Sequence, residues 1–140
     1  VLLVFGKQIA VKSRGFSDIH DITAQVQEIV GESKLSDGIV CIFNIGSTGS
    51  ISTIEYEPAL VADMQEQLET FLPSTMKSRH SQTWGDDNGF SHLRATFMGP
   101  GITLPFAGGR LQLGTWQQIV VLDHDNRART RKVFVQVLGE

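Results

Sequence analysis

The turn Ser36-Asp37-Gly38 delivers the chain directly into Ile39-Val40-Cys41-Ile42-Phe43, a run with no charged or amide residue. Such a run is far too short to span a membrane and shows no helical period, so it reads as a strand. Continued to Ile45, it predicts a central strand that is apolar on both faces. Cys41, in its middle, is then expected to be a buried structural thiol and not a reactive one. It is the only cysteine, which excludes an intrachain disulfide framework and fits a reducing compartment.

The flanking pattern adds short strands and a few helices. Val1–Phe5 and Gln8–Val11 read as two strands separated by Gly6-Lys7. Asp21 and Thr23 offer N-caps for a helix carrying Ile22, Val26, Ile29 and Val30 on one side, ended by Gly31 and the turn that follows. After Gly46-Ser47-Thr48-Gly49-Ser50 the chain is again extended over Ile51–Ile54. Pro58 is placed to start a second helix striped by Leu60, Met64, Leu68 and Phe71, and Pro73 stops it. From Ser74 to Gly89 there is no helical or strand period, which predicts a long loop, functional or mobile. A short helix is expected from about Ser91 to Met98. Strands follow at Ile102–Pro105, Leu111–Leu113, Trp116–Leu122 and Arg131–Leu138. The expected architecture is one α+β domain over 1–140: a mostly antiparallel β-sheet with two longer helices and one short helix.

With 41% hydrophobic and 19% charged residues in 140, the chain can bury a real core and suits a soluble domain. A net charge of −3 gives no electrostatic reason to expect nucleic acid as a partner. No run reaches membrane length and the opening residues lack a signal-peptide core, so a cytoplasmic protein with no membrane partner is expected.

The chemically expensive residues gather between Trp84 and Arg131. His80 and His92, twelve positions apart, suit metal ligation, acid–base work or phosphate binding; on spacing alone, two surface imidazoles are the plainer reading. Asn88-Gly89-Phe90-Ser91 opens a helix whose unpaired N–H groups favour an anion, with Arg94 one turn on as a further donor. Capping by Asn88 or Ser91 explains the same residues equally well. Glu55 closes an apolar strand where an apolar residue would continue the pattern, so it is expected to point inward from a rim. In Leu113-Gly114-Thr115-Trp116-Gln117-Gln118, Trp116 could floor a pocket or plug the sheet. Arg127, Arg129 and Arg131 alternate at strand period and share one face, as an anion clamp, a subunit contact or a solvated edge.

Several ordered blocks together resemble the YjbQ family: Ser13-Arg14-Gly15-Phe16, Thr48 through Pro58, Ser91-His92-Leu93-Arg94, Leu113 through Ile119, and Gly139-Glu140. The resemblance covers about Ser13 to Glu140. It implies a compact α+β subunit that assembles as a homotrimer with a pocket near the subunit contacts. It also implies a transferase-type activity, the joining of a hydroxymethylpyrimidine diphosphate to a thiazole phosphate, as a weak side reaction. Where many members carry His and Asn this chain has Gly46 and Ile54, and Phe90 stands where some relatives have His; His80, His92 and Glu55 remain. The resulting expectation is a small enzyme acting on a phosphorylated or diphosphorylated metabolite. Glu55, His80 and His92 would be catalytic; Asn88, Ser91, Arg94 and Arg129 would bind the anion; Thr48, Trp116 and Gln117 would line the pocket. His80 and His92 would hold a divalent metal, Mg or Zn, if one binds. The rival expectations are a non-catalytic anion- or metal-binding module and a structural subunit of an oligomer.

Overall fold

The apolar run folds as the middle strand of a five-stranded sheet, in a computed structural model that describes residues Val1–Glu140. This strand, β3 (Gly38–Ile45), lies between β8 (Arg129–Gly139) and β5 (Gly101–Ala107), both antiparallel to it. β1 (Leu3–Ser13) pairs with the far edge of β8, and the two-residue β6 (Arg110–Leu111) with β5. A second antiparallel sheet holds β2 (Asp18–Asp21), β7 (Gln118–Asp123) and β4 (Gly49–Ile54), with β7 central. Four helices complete the domain: α1 (Thr23–Ser33), α2 (Pro58–Phe71), α3 (Arg79–Trp84) and α4 (Gly89–Met98). The α+β class and the antiparallel sheets are as the sequence predicts.

Strand period decides which residues form the core. Val133, Val135 and Val137 of β8, with Val40 and Ile42 of β3, point inward and are fully buried. They meet Val26, Ile29 and Val30 of α1 and Ile51, Ile119 and Val121 of the second sheet. Each such side chain contributes roughly 1.5–3 kcal/mol by leaving water. The opposite face of the second sheet carries Ile19, Val120 and Leu122, which pack on Leu68 of α2 with Met64 and Met98 nearby. β7 is thus covered on both faces, which is why the run Ile119–Leu122 is continuously apolar.

Several expectations are corrected. β3 is covered on one face only: its burial alternates, and Ile39, Cys41, Phe43 and Ile45 face outward, so Cys41 is exposed. No helix of this chain packs on that side. Val1–Val11 does not break at Gly6. β1 runs through it, pairing Gly6 with Gln136 of β8, and a Cβ there would have to push the tip of the Phe134 ring, 2.7 Å away, aside. Helix α1 passes through Gly31 and ends at Lys34, which takes a left-handed φ of 59°. Ile22 occupies its N-cap, while Asp21 bonds the Thr23 amide and hydroxyl. The stretch from Ser74 to Gly89 contains α3, capped by the Ser78 hydroxyl and closed by Gly85 in the left-handed region. None of its residues is buried, so it has no apolar stripe to announce it.

Candidate functional site

Helix α3 leans against the start of α4 through an unusually close approach. A Cβ on Gly89 would fall 2.0 Å from the Ser78 hydroxyl, so only glycine lets the two elements meet. This contact brings His80 of α3 and His92 of α4 together, edge to face, with ring centroids 4.7 Å apart. Asn88 fixes His80: its Oδ1 lies 3.1 Å from His80 Nε2, while its Nδ2 donates to Asp125 Oδ1 at 3.3 Å. With the amide so oriented, Nε2 carries the His80 proton and Nδ1 a lone pair. Asp86 approaches the same Nε2 at 3.7 Å. Because Asn88 is turned toward His80, no side chain caps α4, and the positive end of its dipole lies beside the histidine pair.

The cleft here has a volume of about 530 Å³ and is lined by Met76, Lys77, Ser78, Arg79, His80, Gly89, His92 and Leu93. Four of these side chains are basic or protonatable and none is a carboxylate. An anion would meet Lys77 and Arg79 in the lining itself, while Asp86, 3.7 Å from His80 Nε2, is the one carboxylate close to the histidine pair. Lys77 and Arg79 escape a reading by period because they sit in a polar run; two cations within four residues of His80 were the available signal.

The other predicted residues lie elsewhere. Glu55 and Trp116 line a separate cleft of about 460 Å³ with Asp21, Tyr56, Glu57, Pro58, Thr115 and Gln118, sharing no residue with the histidine cleft. Glu57 caps α2 there, accepting from the Ala59 and Leu60 amides. Gln117 is occupied by Thr53 and the Gly114 amide. Ser91 is buried, its hydroxyl donating back to the Asn88 carbonyl.

Arg94 points away from the cleft into the protein and is fully buried. Its Nε donates to the Leu72 carbonyl at 2.9 Å and its Nη1 to Ser17 Oγ at 2.8 Å, while its guanidinium stands over the Phe90 ring. Nη2 lies 3.2 Å from Glu69 Oε2 but makes no directed hydrogen bond, so that contact is a plain ion pair. Arg129 and Arg131 do share a face, which is half-exposed at Arg129 and buried at Arg131. Arg129 bonds Asp125 at 2.6 Å and Arg131 bonds Asp123 at 2.6 Å, both Arg131 and Asp123 being buried. Thr48 joins them, donating to Asp125 and accepting from Arg131. Burial opposes the Asp125 charge, yet the Asn126 amide, Arg129, Asn88 and Thr48 hold its pKa below the ordinary carboxylate value.

His124, which the sequence reading passed over, sits at the centre of this internal network. Ser17 accepts from Arg94 and so donates to His124 Nδ1 at 2.7 Å; Nε2 then faces Ser50 Oγ at 3.1 Å. Burial, with Arg94 and Arg131 beside it, drives the His124 pKa down to about 3. Ser17 reaches this place through a strained turn in which Gly15, Phe16 and Ser17 all have left-handed φ, of 84°, 54° and 62°. The Phe16 amide pins the turn by donating to the Asp125 carbonyl at 2.7 Å. The network braces the floor beneath Asn88 and carries no group to the surface cleft.

No group of three or more His, Cys, Asp or Glu is arranged to hold a metal. Two imidazoles fall short of the ligand set zinc takes, and magnesium prefers oxygen. The donors of a single chain therefore do not fit a resident metal.

The family described as UPF0047 protein YjbQ-like matches residues 7–140. A UPF0047 protein of Archaeoglobus fulgidus is 35% identical over 131 residues, spanning 94% of this chain and 99% of its own. Another, from Methanothermobacter thermautotrophicus, is 31% identical over 137 residues, spanning 98% and 94%. Among solved structures, a YbjQ-like protein of unknown function from Sulfolobus solfataricus superimposes with a TM-score of 0.94 at 34% identity, over 100% of both chains. A YjbQ/UPF0047 protein from Clostridium acetobutylicum gives 0.85 at 30% identity, over 94% of this chain and 98% of its own.

Proposed function

Because the chain belongs to the UPF0047 YjbQ-like family, we propose that its basic cleft binds a phosphorylated or diphosphorylated metabolite on which the protein acts as a small enzyme. The observation that carries this reading is the lining itself: Lys77, Arg79, His80 and His92 around one opening, at the N-terminus of a ten-residue helix, with no carboxylate among them. Phosphate oxygens would accept from the Lys77 and Arg79 side chains, beside the positive end of the α4 dipole. A volume of about 530 Å³ leaves room for more than one phosphate and for the group that bears it. His80, held by Asn88 with a lone pair on Nδ1, is poised to take or return a proton. Donors fixed in advance around a departing pyrophosphate lower the cost of its developing charge. A thiamine-phosphate-forming transfer is the narrower form of this proposal.

The homotrimer belongs to the same proposal. Ile39, Phe43 and Ile45 expose an apolar stripe on the outer face of the large sheet, and a neighbouring subunit covering it would remove that surface from water. Such packing could also bring the Glu55–Trp116 cleft of one subunit to the histidine cleft of another. We place the protein in the cytoplasm; no helix is long and apolar enough to cross a membrane. The test is a turnover assay of phosphate and diphosphate esters with wild type and His80→Ala. Release of phosphate or pyrophosphate by wild type, lost in the variant, supports catalysis. Tight binding with no turnover makes the protein a binding module instead.

A further inference from the structure

Helix α2 presents Leu60, Val61, Met64, Leu68 and Phe71 along its fourteen residues, yet only Leu68 is buried. Between this helix, α4 and the three-stranded sheet lies an apolar cavity of about 130 Å³, closed on the sheet side by buried residues and partly open between Ile54, Met64 and Met98. Its walls are Ile19, Ile54, Val120 and Leu122 from the strands and Met64 and Met98 from the two helices, with two small hydroxyl residues of β4 completing the lining. Well-packed interiors leave few voids larger than a water molecule, and an apolar void of roughly 150 Å³ stays dry and accepts benzene. We propose that this cavity is a binding site for a small neutral hydrocarbon group, aromatic or branched, of about benzene size.

Three features support an occupant of this kind. No charged residue lines the wall, so an ionised ligand would lose its hydration without a partner. A neutral ring would instead restore the dispersion contacts that the void forfeits. Met64 and Met98 are unbranched and polarisable, able to follow the outline of a ring. Met64 itself is only half-buried on α2, so its side chain has room to swing aside and admit the ring. The site shares no residue with the basic cleft and stands independently of what that cleft binds.

The chain has three methionines, and this makes the test internal. Met64 and Met98 line the cavity, whereas Met76 lies in the basic cleft. Methyl-labelled methionine spectra of the whole protein would be recorded while benzene is added. The expected result is a saturable shift of the Met64 and Met98 methyls with Met76 unmoved. Ile54→Phe, which fills the void, should weaken the response by about tenfold or more; should that variant fail to fold, Val120→Leu fills the same space from β7. The proposal is overturned if Met64 and Met98 show no saturable shift up to the solubility of benzene, or if a folded filled variant binds as wild type does.

Discussion

Ser17 Oγ lies 2.7 Å from His124 Nδ1 in a part of the protein closed to water, so His124 must be neutral for the fold to hold its shape. Burial, then the nearby Arg94 and Arg131, place its folded pKa at about 3, against an ordinary value of 6.5. Between those values the unfolded chain binds a proton that the folded one rejects, so stability falls as pH drops below the ordinary value. The carboxylates held at lowered pKa, Asp18, Glu69 and Asp125, lose their contribution only in stronger acid, as pH falls through the carboxyl range. Urea unfolding should therefore show a loss of about 2 kcal/mol between about pH 7.5 and about pH 5. His124→Gln should flatten that slope; an equally steep slope in the variant would assign it to other groups.

The two ends of the Arg94–Glu69 pair are predicted to matter unequally. Arg94 is fully buried and serves Ser17, the Leu72 carbonyl and the Phe90 ring, whereas the Glu69 side chain is 44% exposed. Arg94→Ala should cost about 3 kcal/mol or more, because it strands buried acceptors. Glu69→Gln should cost less than about 1 kcal/mol, since an exposed partner is screened by solvent. Thermal or urea denaturation of both variants checks this, and equal losses would contradict the assignment of Arg94 to the interior.

Restoring a histidine at position 46 is predicted to destabilise the protein. Gly46 has a φ of 149°, which side chains rarely adopt, and a Cβ there would lie 3.0 Å from Arg131 Nη1. Gly46→His should lower stability by about 1–3 kcal/mol. A variant as stable as wild type would mean that the loop readily takes another shape.

The elements with a strong period were legible. The α1 stripe Ile22, Val26, Ile29 and Val30 is wholly buried, and α2 begins at Pro58 as its sequence indicates. Helix α3 was not legible, since a six-residue helix with no buried side chain has no stripe to reveal. The outward face of β3 was misread because Ile39 and Phe43 look like core residues whatever covers them. For the site, His80 and His92 were visible as residue types near Asn88, and the structure joins them. The inward course of Arg94 and Arg131 was hidden: charge alone suggests solvent, and their partners Ser17 and Asp123 lie far away in sequence or on another strand. Glu55 and Trp116 were expected in one pocket with His80 and His92, and the single chain keeps them in a separate cleft.

The central claim is that Lys77, Arg79 and His92 form an anion site, and calorimetric titration with pyrophosphate addresses it most directly. Wild type should bind with one site per chain. His92→Ala and the double variant Lys77→Ala/Arg79→Ala should each weaken binding by about tenfold or more, because each charge-assisted contact is worth roughly 1.5–3 kcal/mol. Both changes lie at the surface cleft, so the melting temperature without ligand should stay close to that of wild type. Unchanged affinity in both folded variants, or no binding by wild type, would contradict the account.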